Sequence, residues 1–311
     1  MLNQQVINSF ISIVGRDNTI INEKNLTNAE KTNYNTTEKI LLIVKPASVQ
    51  EVKECVLLAN KNKIALHPIS KGKNWGYGSR VPVNNNTVLI ELDRINKILD
   101  YDEKMGYITV QPGVTFQQAF NFLREKKSSL ILSITGGGTN SSLLANALDR
   151  GIATGLYADR FSHICNLEVV LPTGDIICTG MGRFGEIKSS QLYRWGLGPS
   201  LDGLFSQSNF GIVTKMTIWL MHCPNYFQIL FYKLNSDKKL PSLISASHNL
   251  LMSGLVRPAI TIYNDFRIIS TIAQYPMNKC NPKTSSLDEV LNNIRVVNKN
   301  ADIASKWNGE I

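Results

Sequence analysis

The sequence predicts an α+β fold, and three observations support this class. Residues 40–69 have the pattern strand, helix, strand, whereas later apolar alternation indicates mostly antiparallel strands with interspersed helices. The chain has 311 residues, enough for about two domains. Hydrophobic residues make up 43% and charged residues 18%, which excludes wholesale disorder and a small disulfide scaffold.

Charge and cysteine spacing argue against several functional classes. The formal net charge is +9, but the basic residues are scattered and do not alternate with aromatic residues, so nucleic-acid binding is not predicted. No CxxC or HExxH pattern occurs, so no metal site is predicted. No apolar run reaches the roughly 20 residues that span a bilayer. The N-terminus lacks signal-peptide features, which favours a cytoplasmic location.

The first elements follow from periodicity and capping. Residues 6–14 carry a helical apolar stripe, and the polar stretch 15–37 is predicted to be an extended linker. Ser48 and Glu51 have capping-box spacing at the start of the next helix. The apolar face of that helix consists of Val52, Cys55, Val56 and Ala59. The strands predicted in this half are 40–44, 64–69, 88–92, 106–111 and 130–134.

The middle of the chain contains two more helices and a hairpin. Thr115 and Gln118 form a second capping box. The helix that they begin has an apolar face formed by Phe116, Ala119, Phe120 and Leu123. A helix over 143–150 is predicted to end at Gly151 as its C′ residue. The later elements are a hairpin over 167–179, a short helix over 201–208 and a strand over 212–220.

A new unit begins after Pro224. Its predicted elements are a strand over 227–234, a helix over about 241–253 and a strand over 257–263. No closing element is evident in the pattern before Ile311.

Two glycine-rich loops, 70–80 and 136–142, each directly follow a predicted strand. Glycine lets backbone N–H groups approach a phosphate closely, so the two loops could hold a pyrophosphate from both sides. Pro112-Gly113 adds a third turn. Tight surface turns remain the structural alternative for all three.

A third glycine pattern, GMGRFG at 180–185, matches the letters of a nicotinamide-dinucleotide fingerprint. A Rossmann site needs a helix to begin there and an acidic residue about 20 residues further on. The following residues have no apolar helical face, and the preceding strand belongs to a hairpin. Nicotinamide binding therefore stays only a lesser alternative.

The order of several motifs resembles the vanillyl-alcohol oxidase / p-cresol methylhydroxylase flavoprotein family. The motifs are ISKGKNWGYG (69–78), VQPGVTF (110–116), GGG with NALDRG (136–151), LEVVLPTGDIICTGMG (167–182) and GLGPSLDGLFSQSNFGIVTKMTIWL (196–220). The resemblance implies the two-subdomain α+β fold of that family, with FAD between the subdomains and hydride transfer to the flavin. It divides the chain into an N-terminal helix and linker (1–37), an FAD-binding domain (38–222) and an incomplete α+β substrate or cap domain (223–311).

The resemblance also implies which residues contact FAD. The pyrophosphate loop corresponds to Ser70, Lys71, Gly72, Lys73, Asn74 and Gly76. Residues expected to line the flavin, its diphosphate or its adenine or ribitol end are Pro112, Gly113, Gly137, Gly138, Thr139, Ser142, Asn146, Arg150, Gly151, Gly211, Ile212 and Val213. Tyr77 matches a tyrosine that helps to bind a phenolate in phenol-oxidising members, and is otherwise a packed tyrosine beside a turn.

Two departures from the family pattern bear on catalysis. Ile134 stands where phenol-oxidising members carry an acidic residue near flavin N5, and no catalytic base is identified. Tyr77 occupies the position of the flavin-linked histidine of related proteins, no cysteine precedes Gly136 at the second attachment position, and neither His67 nor His163 lies in an attachment motif. FAD is therefore expected to be non-covalent, and His163 to be a packed or surface residue.

The predicted function is an FAD-dependent oxidoreductase that acts on a small organic substrate, such as an aromatic compound or an alcohol. The alternative is a truncated FAD-binding module or inactive remnant, because the family's C-terminal segment has no counterpart here. A homodimer or a separate C-terminal half would be the corresponding protein partner.

Overall fold

The computed structural model describes residues 2–32, 34, 36–73, 80–153, 155–185, 187–226, 228–256, 260–272, 284–301 and 305–310. The chain divides into two units, Met1–Cys223 and Pro224–Ile311. None of the helices in these ranges is both long and apolar enough to cross a membrane.

The first sheet of unit one has the order β1-β2-β4-β3. Strands β2, β4 and β3 are parallel neighbours, and β1 pairs antiparallel with β2. Helix α3 connects β2 to β3, so the predicted strand-helix-strand pattern is confirmed, with β4 inserted between the two strands. The bounds are β1 Thr19–Ile20, β2 Ile40–Val44, α3 Val49–Lys61, β3 Ala65–Ile69 and β4 Thr87–Glu91.

The second sheet is antiparallel, with the order β5-β6-β10-β8-β9. Its strands are β5 Ile98–Asp102, β6 Tyr107–Val110, β8 Ile164–Val170, β9 Ile176–Cys178 and β10 Ile212–Trp219. The helices between them are α4 Phe116–Glu125 and α5 Leu143–Leu148, and a small ladder joins β7 Leu130–Ile131 to β11 Met221–His222.

Each sheet has its own apolar core. One cluster combines α4, α5 and the antiparallel sheet, with Ile108, Leu143, Leu167 and Met216 fully buried. Another combines the parallel sheet with the buried face of α3, which is the face predicted from the sequence. Half of each predicted capping box forms, because the Ser48 and Thr115 hydroxyls accept from the backbone N–H groups of Glu51 and Gln118. The reciprocal half does not form, since the Glu51 carboxylate accepts from the N–H of Ala47 and the Gln118 amide donates to the Asn96 carbonyl.

The prediction of an extended linker over 15–37 is wrong. Helix α1 covers Gln4–Val14 as expected, but β1 and a second helix, α2 (Glu23–Ala29), follow it. The Asn22 side chain caps α2, and Ala29 is buried against β2 and β4. A few well-placed apolar residues thus outweigh the polar composition of the stretch.

Four local predictions also need correction. Phe120 is 50% exposed rather than part of the buried face of α4. Strand β7 has two residues instead of the predicted five. The segment over 201–208 forms only a short 3-10 helix over Asp202–Phe205. The left-handed residue after α5 is Arg150, with φ 54°, rather than Gly151.

Unit two has a three-stranded sheet with the order β12-β14-β13. Its elements are β12 Phe231–Leu234, α6 Leu240–Met252, β13 Thr261–Asn264, α7 Asp265–Ile269, α8 Leu287–Ala301 and β14 Trp307–Glu310. Strand β14 pairs with both other strands. It is the closing element that the sequence pattern did not reveal, because WNGE lacks the apolar alternation of a strand.

Candidate functional site: two glycine-rich loops

The first loop begins at the carboxyl edge of the parallel sheet. Ser70, which is buried, directly follows β3, while Lys45 follows β2 and Glu91 ends β4. Since these strands are parallel neighbours, the three positions share one edge. In open α/β sheets this carboxyl edge is where ligands bind.

A buried ion-pair cluster stabilises that edge. The Glu91 side chain is only 5% exposed, and its carboxylate lies 2.5 Å from Lys45 Nζ and 3.6 Å from Arg80 Nη2. Lys45 Nζ also lies 3.6 Å from Asp93. Arg80 stands at the end of the loop, so Glu91 links the sheet to the far end of the segment that Ser70 begins.

Gly72 allows the two ends of this loop to approach each other. Its φ is +57°, in the left-handed region, and a Cβ built there would lie 2.6 Å from Arg80 Nε. A side chain at position 72 would therefore displace Arg80 from Glu91. Lys71 is half-buried and Lys73 exposed, whereas Asn74, Gly76 and Tyr77 lie outside the described residues.

The second loop packs against the start of α4. The backbone N–H groups of Phe116 and Gln117 donate to the carbonyls of Ser141 (3.1 Å) and Thr139 (2.9 Å). The Ser142 hydroxyl donates to the Pro112 carbonyl (2.6 Å) and accepts from the N–H of Ala145. Ser142 is thereby committed to the protein, joining the Pro112-Gly113 turn to α5.

The two loops meet. The Ser141 hydroxyl donates to the carbonyl of Lys73 across 3.3 Å. This contact joins a residue of the 136–142 loop to one of the 70–80 loop, as a shared binding site requires. The expectation that the two loops lie side by side is confirmed, while the predicted ligand contacts of their residues stay predictions.

The triple glycine presents an open backbone face. Gly136 and Gly138 are exposed, and a Cβ built on Gly136 would meet no atom of the described residues within 4 Å. The glycine at 113 behaves differently, because a Cβ there would lie 2.5 Å from the carbonyl oxygen of Asp93. Gly113 is thus required by the protein itself, whereas Gly136 leaves room for a ligand.

Asn146 and Gly151 lie beside the second loop. Asn146 Nδ2 donates to the Thr135 hydroxyl (3.3 Å), and its Oδ1 is buried without a partner among the described residues. A Cβ on Gly151 would lie 2.3 Å from that Oδ1. The Arg150 Nε donates to the Ser206 hydroxyl (2.9 Å), so this guanidinium is tied to the protein.

The remaining predicted contact residues lie in the core. A Cβ on Gly211 would be 2.5 Å from Val169 Cγ1, and both Ile212 and Val213 are buried in β10. Packing alone explains these three residue types. Their predicted position near the adenine or ribitol end of FAD stays a prediction.

The other candidates have packing roles or lie at the surface. His163 Nδ1 is 2.8 Å from the carbonyl oxygen of Asp159, and its ring stacks on Tyr157 at 4.0 Å. Ile134 is 56% exposed and directly precedes the Thr135–Gly136 step. Within the described ranges, no group of three or more potential ligands is arranged to hold a metal ion.

GMGRFG does not form a dinucleotide turn. Residues Gly180–Phe184 form a 3-10 helix after the hairpin strand β9. A Cβ on Gly182 would lie 2.1 Å from Asn166 Oδ1, and one on Gly180 would lie 3.0 Å from the Arg194 carbonyl. These glycines are explained by contact with the protein, which removes the basis for the nicotinamide alternative.

Sequence reasoning missed four charged residues around the loops: Lys45, Arg80, Glu91 and Arg160. A carboxylate at the end of the buried run VLIE was the available signal for Glu91, because such a group needs a cationic partner. Lys45 could then have been found from its position after the neighbouring parallel strand. Nothing in the local sequence distinguishes Arg160 from a surface arginine.

Comparison with known proteins shows which proteins this chain resembles. Residues 40–180 match the family model described as an FAD binding domain. The chain is 39% identical over 292 residues to 1'-carboxy-chondrochloren decarboxylase of Chondromyces crocatus, covering 94% of this chain and 54% of that protein. It is 33% identical to the 4-cresol dehydrogenase [hydroxylating] flavoprotein subunit of Pseudomonas putida, covering 83% and 50% respectively.

A solved structure agrees with these matches. The crystal structure of p-cresol methylhydroxylase with substrate bound has a TM-score of 0.88 and 29% sequence identity, covering 99% of this chain and 60% of that one. The chain thus spans about half the length of the curated relatives that it matches. The matched domain, the shared fold and the sequence identity lead to one conclusion. The chain belongs to the p-cresol methylhydroxylase-type family of FAD-binding flavoproteins.

Proposed function

We propose that the chain binds FAD between its two glycine-rich loops and acts as the FAD-binding part of an oxidoreductase that oxidises a small organic substrate. The observation that carries this proposal is the contact between Ser141 and Lys73, which brings the two loops together. Family membership supports FAD as the ligand, and the name of the cresol dehydrogenase relative supports oxidation of an aromatic compound.

The residues present fit such a cofactor. The open face of Gly136 and Gly138 can approach a diphosphate without a clash from any described residue, and backbone N–H groups are good donors to phosphate. Lys71 and Lys73 bring positive charge to the same junction. The unpartnered Oδ1 of Asn146 is a further acceptor beside the loop. FAD, when bound, supplies the acceptor for a hydride from the substrate carbon.

The chain's own residues have two tasks in this proposal. The carboxyl edge of the parallel sheet holds one loop through Lys45, Glu91 and Arg80, and α4 holds the other through its first N–H groups. The two ends of the first loop and the second loop are therefore held by the protein before a ligand binds. Such preorganisation lowers the ordering cost of binding. We propose that attachment is non-covalent.

A second candidate reaction is oxidative decarboxylation of a carboxylic acid. Oxidation of an alcohol releases a proton that a base must take, and Ile134 stands where the resemblance places an acidic residue. Loss of CO₂ together with a hydride leaves a carbon–carbon double bond and releases no proton, so it requires no base. The decarboxylase named among the relatives supports this route.

The test uses the purified 311-residue chain and added FAD. Retention of flavin after gel filtration, with tight binding by fluorescence titration, supports the proposal. Anaerobic bleaching by phenolic alcohols or by 3-arylpropanoic acids, which have a hydride donor carbon next to the carbon that bears the carboxylate, then distinguishes the two reactions, and CO₂ release identifies the second. A chain that stays folded yet takes up no FAD contradicts the proposal, and flavin binding without bleaching by any substrate supports the inactive-module alternative.

A further inference from the structure

Arg160 is a buried arginine whose charge has no carboxylate partner among the described residues. It is 2% exposed and takes part in none of the ion pairs of those residues. Burial lowers its pKa to about 10, so the guanidinium remains charged at neutral pH. A full charge buried without a counter-ion is costly, which calls for an explanation.

The guanidinium binds both ends of the second glycine-rich loop. Its Nη1 donates to the carbonyl of Ser133, and its Nη2 donates to the carbonyl of Leu143 at 3.3 Å. Residues 134–142, which include the triple glycine, lie between these two carbonyls. One side chain therefore fixes the separation of the loop's two ends.

A third element contacts the same group. Arg160 Cζ lies 4.8 Å from the ring centroid of Phe116, the first residue of α4, and the Phe116 N–H bonds the loop at Ser141. The arginine Nε is buried and has no hydrogen-bond partner among the described residues. Contact with an aromatic ring and two carbonyls solvates the cation only in part.

We propose that Arg160 is a positioning residue for the cofactor: it clamps the ends of the glycine loop, and its charge is offset by negative charge on the bound dinucleotide. This inference rests on the proposed binding of FAD. The negative charge has two sources on that ligand, the diphosphate and the reduced flavin ring. Binding measurements with ADP distinguish these two sources, because ADP carries a diphosphate and no flavin ring.

Arg160→Gln, Arg160→Lys and wild type are compared by titration with FAD, ADP and riboflavin, and by the midpoint potential of bound flavin. We expect Arg160→Gln to raise the Kd of FAD and ADP about tenfold or more, with riboflavin little changed. Arg160→Lys retains the charge without the two-pronged geometry, so it should recover part of the ADP affinity. A purely structural role would make both variants equally poor.

Arg194→Gln is the matched control. Arg194 is also largely buried, but its Nε lies 3.9 Å from a carboxylate oxygen of Asp202, so its charge already has an acidic partner. This variant should lose stability and keep the affinity for ADP. A lower flavin potential in Arg160→Gln with unchanged ADP affinity would assign the charge to the reduced ring. Unchanged affinity and potential together would overturn the proposal.

Hydrogen exchange of the wild-type chain provides a measurement that needs no folded variant. The clamp predicts slow exchange without ligand for the N–H groups of Ser141 and Leu143, which donate to the carbonyls of Gly138 and Val114. It also predicts protection of the exposed N–H groups over 136–139 when ADP is added. Fast exchange of the Ser141 and Leu143 N–H groups, or no effect of ADP on a chain that binds it, would overturn the proposal. If the wild type binds neither FAD nor ADP, the proposed function fails, while slow exchange of the free loop still supports the clamp.

Discussion

Replacement of Gly136 by alanine should separate cofactor binding from folding. The Cβ of residue 136 would lie more than 4 Å from every atom in the part of the chain that the structure describes, and Gly136 is not among the glycines in the left-handed region. Alanine should therefore leave the stability of the free chain unchanged, or raise it by up to about 1 kcal/mol through the unfolded state. If FAD lies against this face, the added methyl group overpacks the complex by about 1–3 kcal/mol. That range corresponds to a Kd increase of about 5- to 150-fold.

Gly113→Ala is the contrasting variant. Its Cβ would lie 2.5 Å from the Asp93 carbonyl oxygen and 2.9 Å from that of Ile95. Because both are backbone atoms, relief requires the turn to move, and the hydrogen bond from the Gly113 N–H to Ile95 would be strained. We expect a loss of about 1–3 kcal/mol in the free energy of unfolding, even without ligand.

The assay for both variants combines urea unfolding of the free chain with fluorescence titration of FAD. We expect Gly136→Ala to change the affinity for FAD alone, whereas Gly113→Ala lowers the stability of the free chain first. Gly136→Ala with wild-type affinity would show that FAD does not contact the open glycine face. A large stability loss in the same variant would show that the face is not open in solution.

Three further predictions concern the loop contact, an acidic residue and the thiols. Ser141→Ala removes the hydroxyl that binds the Lys73 carbonyl, and should cost about 0.5–1.5 kcal/mol in unfolding free energy and weaken FAD binding in titration. Burial raises the pKa of Asp202, so this group's contribution to stability is complete below its unfolded pKa of about 3.9 and is lost as pH rises through the folded value. Urea unfolding between acidic and neutral pH should thus show Asp202→Asn gaining stability relative to wild type as pH rises. Burial raises the pKa of the Cys55 thiol to about 12, so iodoacetamide labelling read by mass spectrometry should modify exposed Cys223 far faster.

Each of these has an outcome that contradicts it. Unchanged stability and affinity in Ser141→Ala would mean that the loops do not depend on that hydroxyl. Asp159→Asn is the control of opposite sign for Asp202, because hydrogen bonds from Ser162 lower the Asp159 pKa. A shared pH trend in the two variants would refute the assignment. Equal labelling rates for Cys55 and Cys223 in the native chain would contradict the burial of Cys55.

The sequence predicted well those elements that have both a period and a cap. Helix α3 combines a Ser48 cap with four apolar positions on one face, and its start and buried face agree with expectation. Strand β10 also agrees with its prediction, because its alternation of apolar residues extends over most of the strand. Strands β1 and β14 were missed, since each is short and is held by pairing with distant strands. Pairing partners are not visible in a local window.

The site was predicted as a set of loops rather than as a set of side chains. Glycine runs after strands are local signals, and the contact between Ser141 and Lys73 confirms that the loops come together. The charged groups that hold them were not found, because Glu91, Lys45 and Arg160 act through partners far away in the sequence. Arg160 lies 17 residues after Leu143, so no local window of the sequence links the two, yet the Arg160 guanidinium donates to the Leu143 carbonyl at the end of the loop.

Glycine motifs in this chain have two distinct physical causes, and the letters alone do not separate them. In GMGRFG, a side chain at Gly182 would collide with Asn166, so the residue is fixed by packing within the protein. At Gly136 the same replacement meets none of the described residues, so no contact among them demands glycine there. A glycine that the fold does not need is best explained by a ligand that approaches the backbone. This difference favours the 136–138 segment, and not 180–185, as the part of the chain that contacts the dinucleotide.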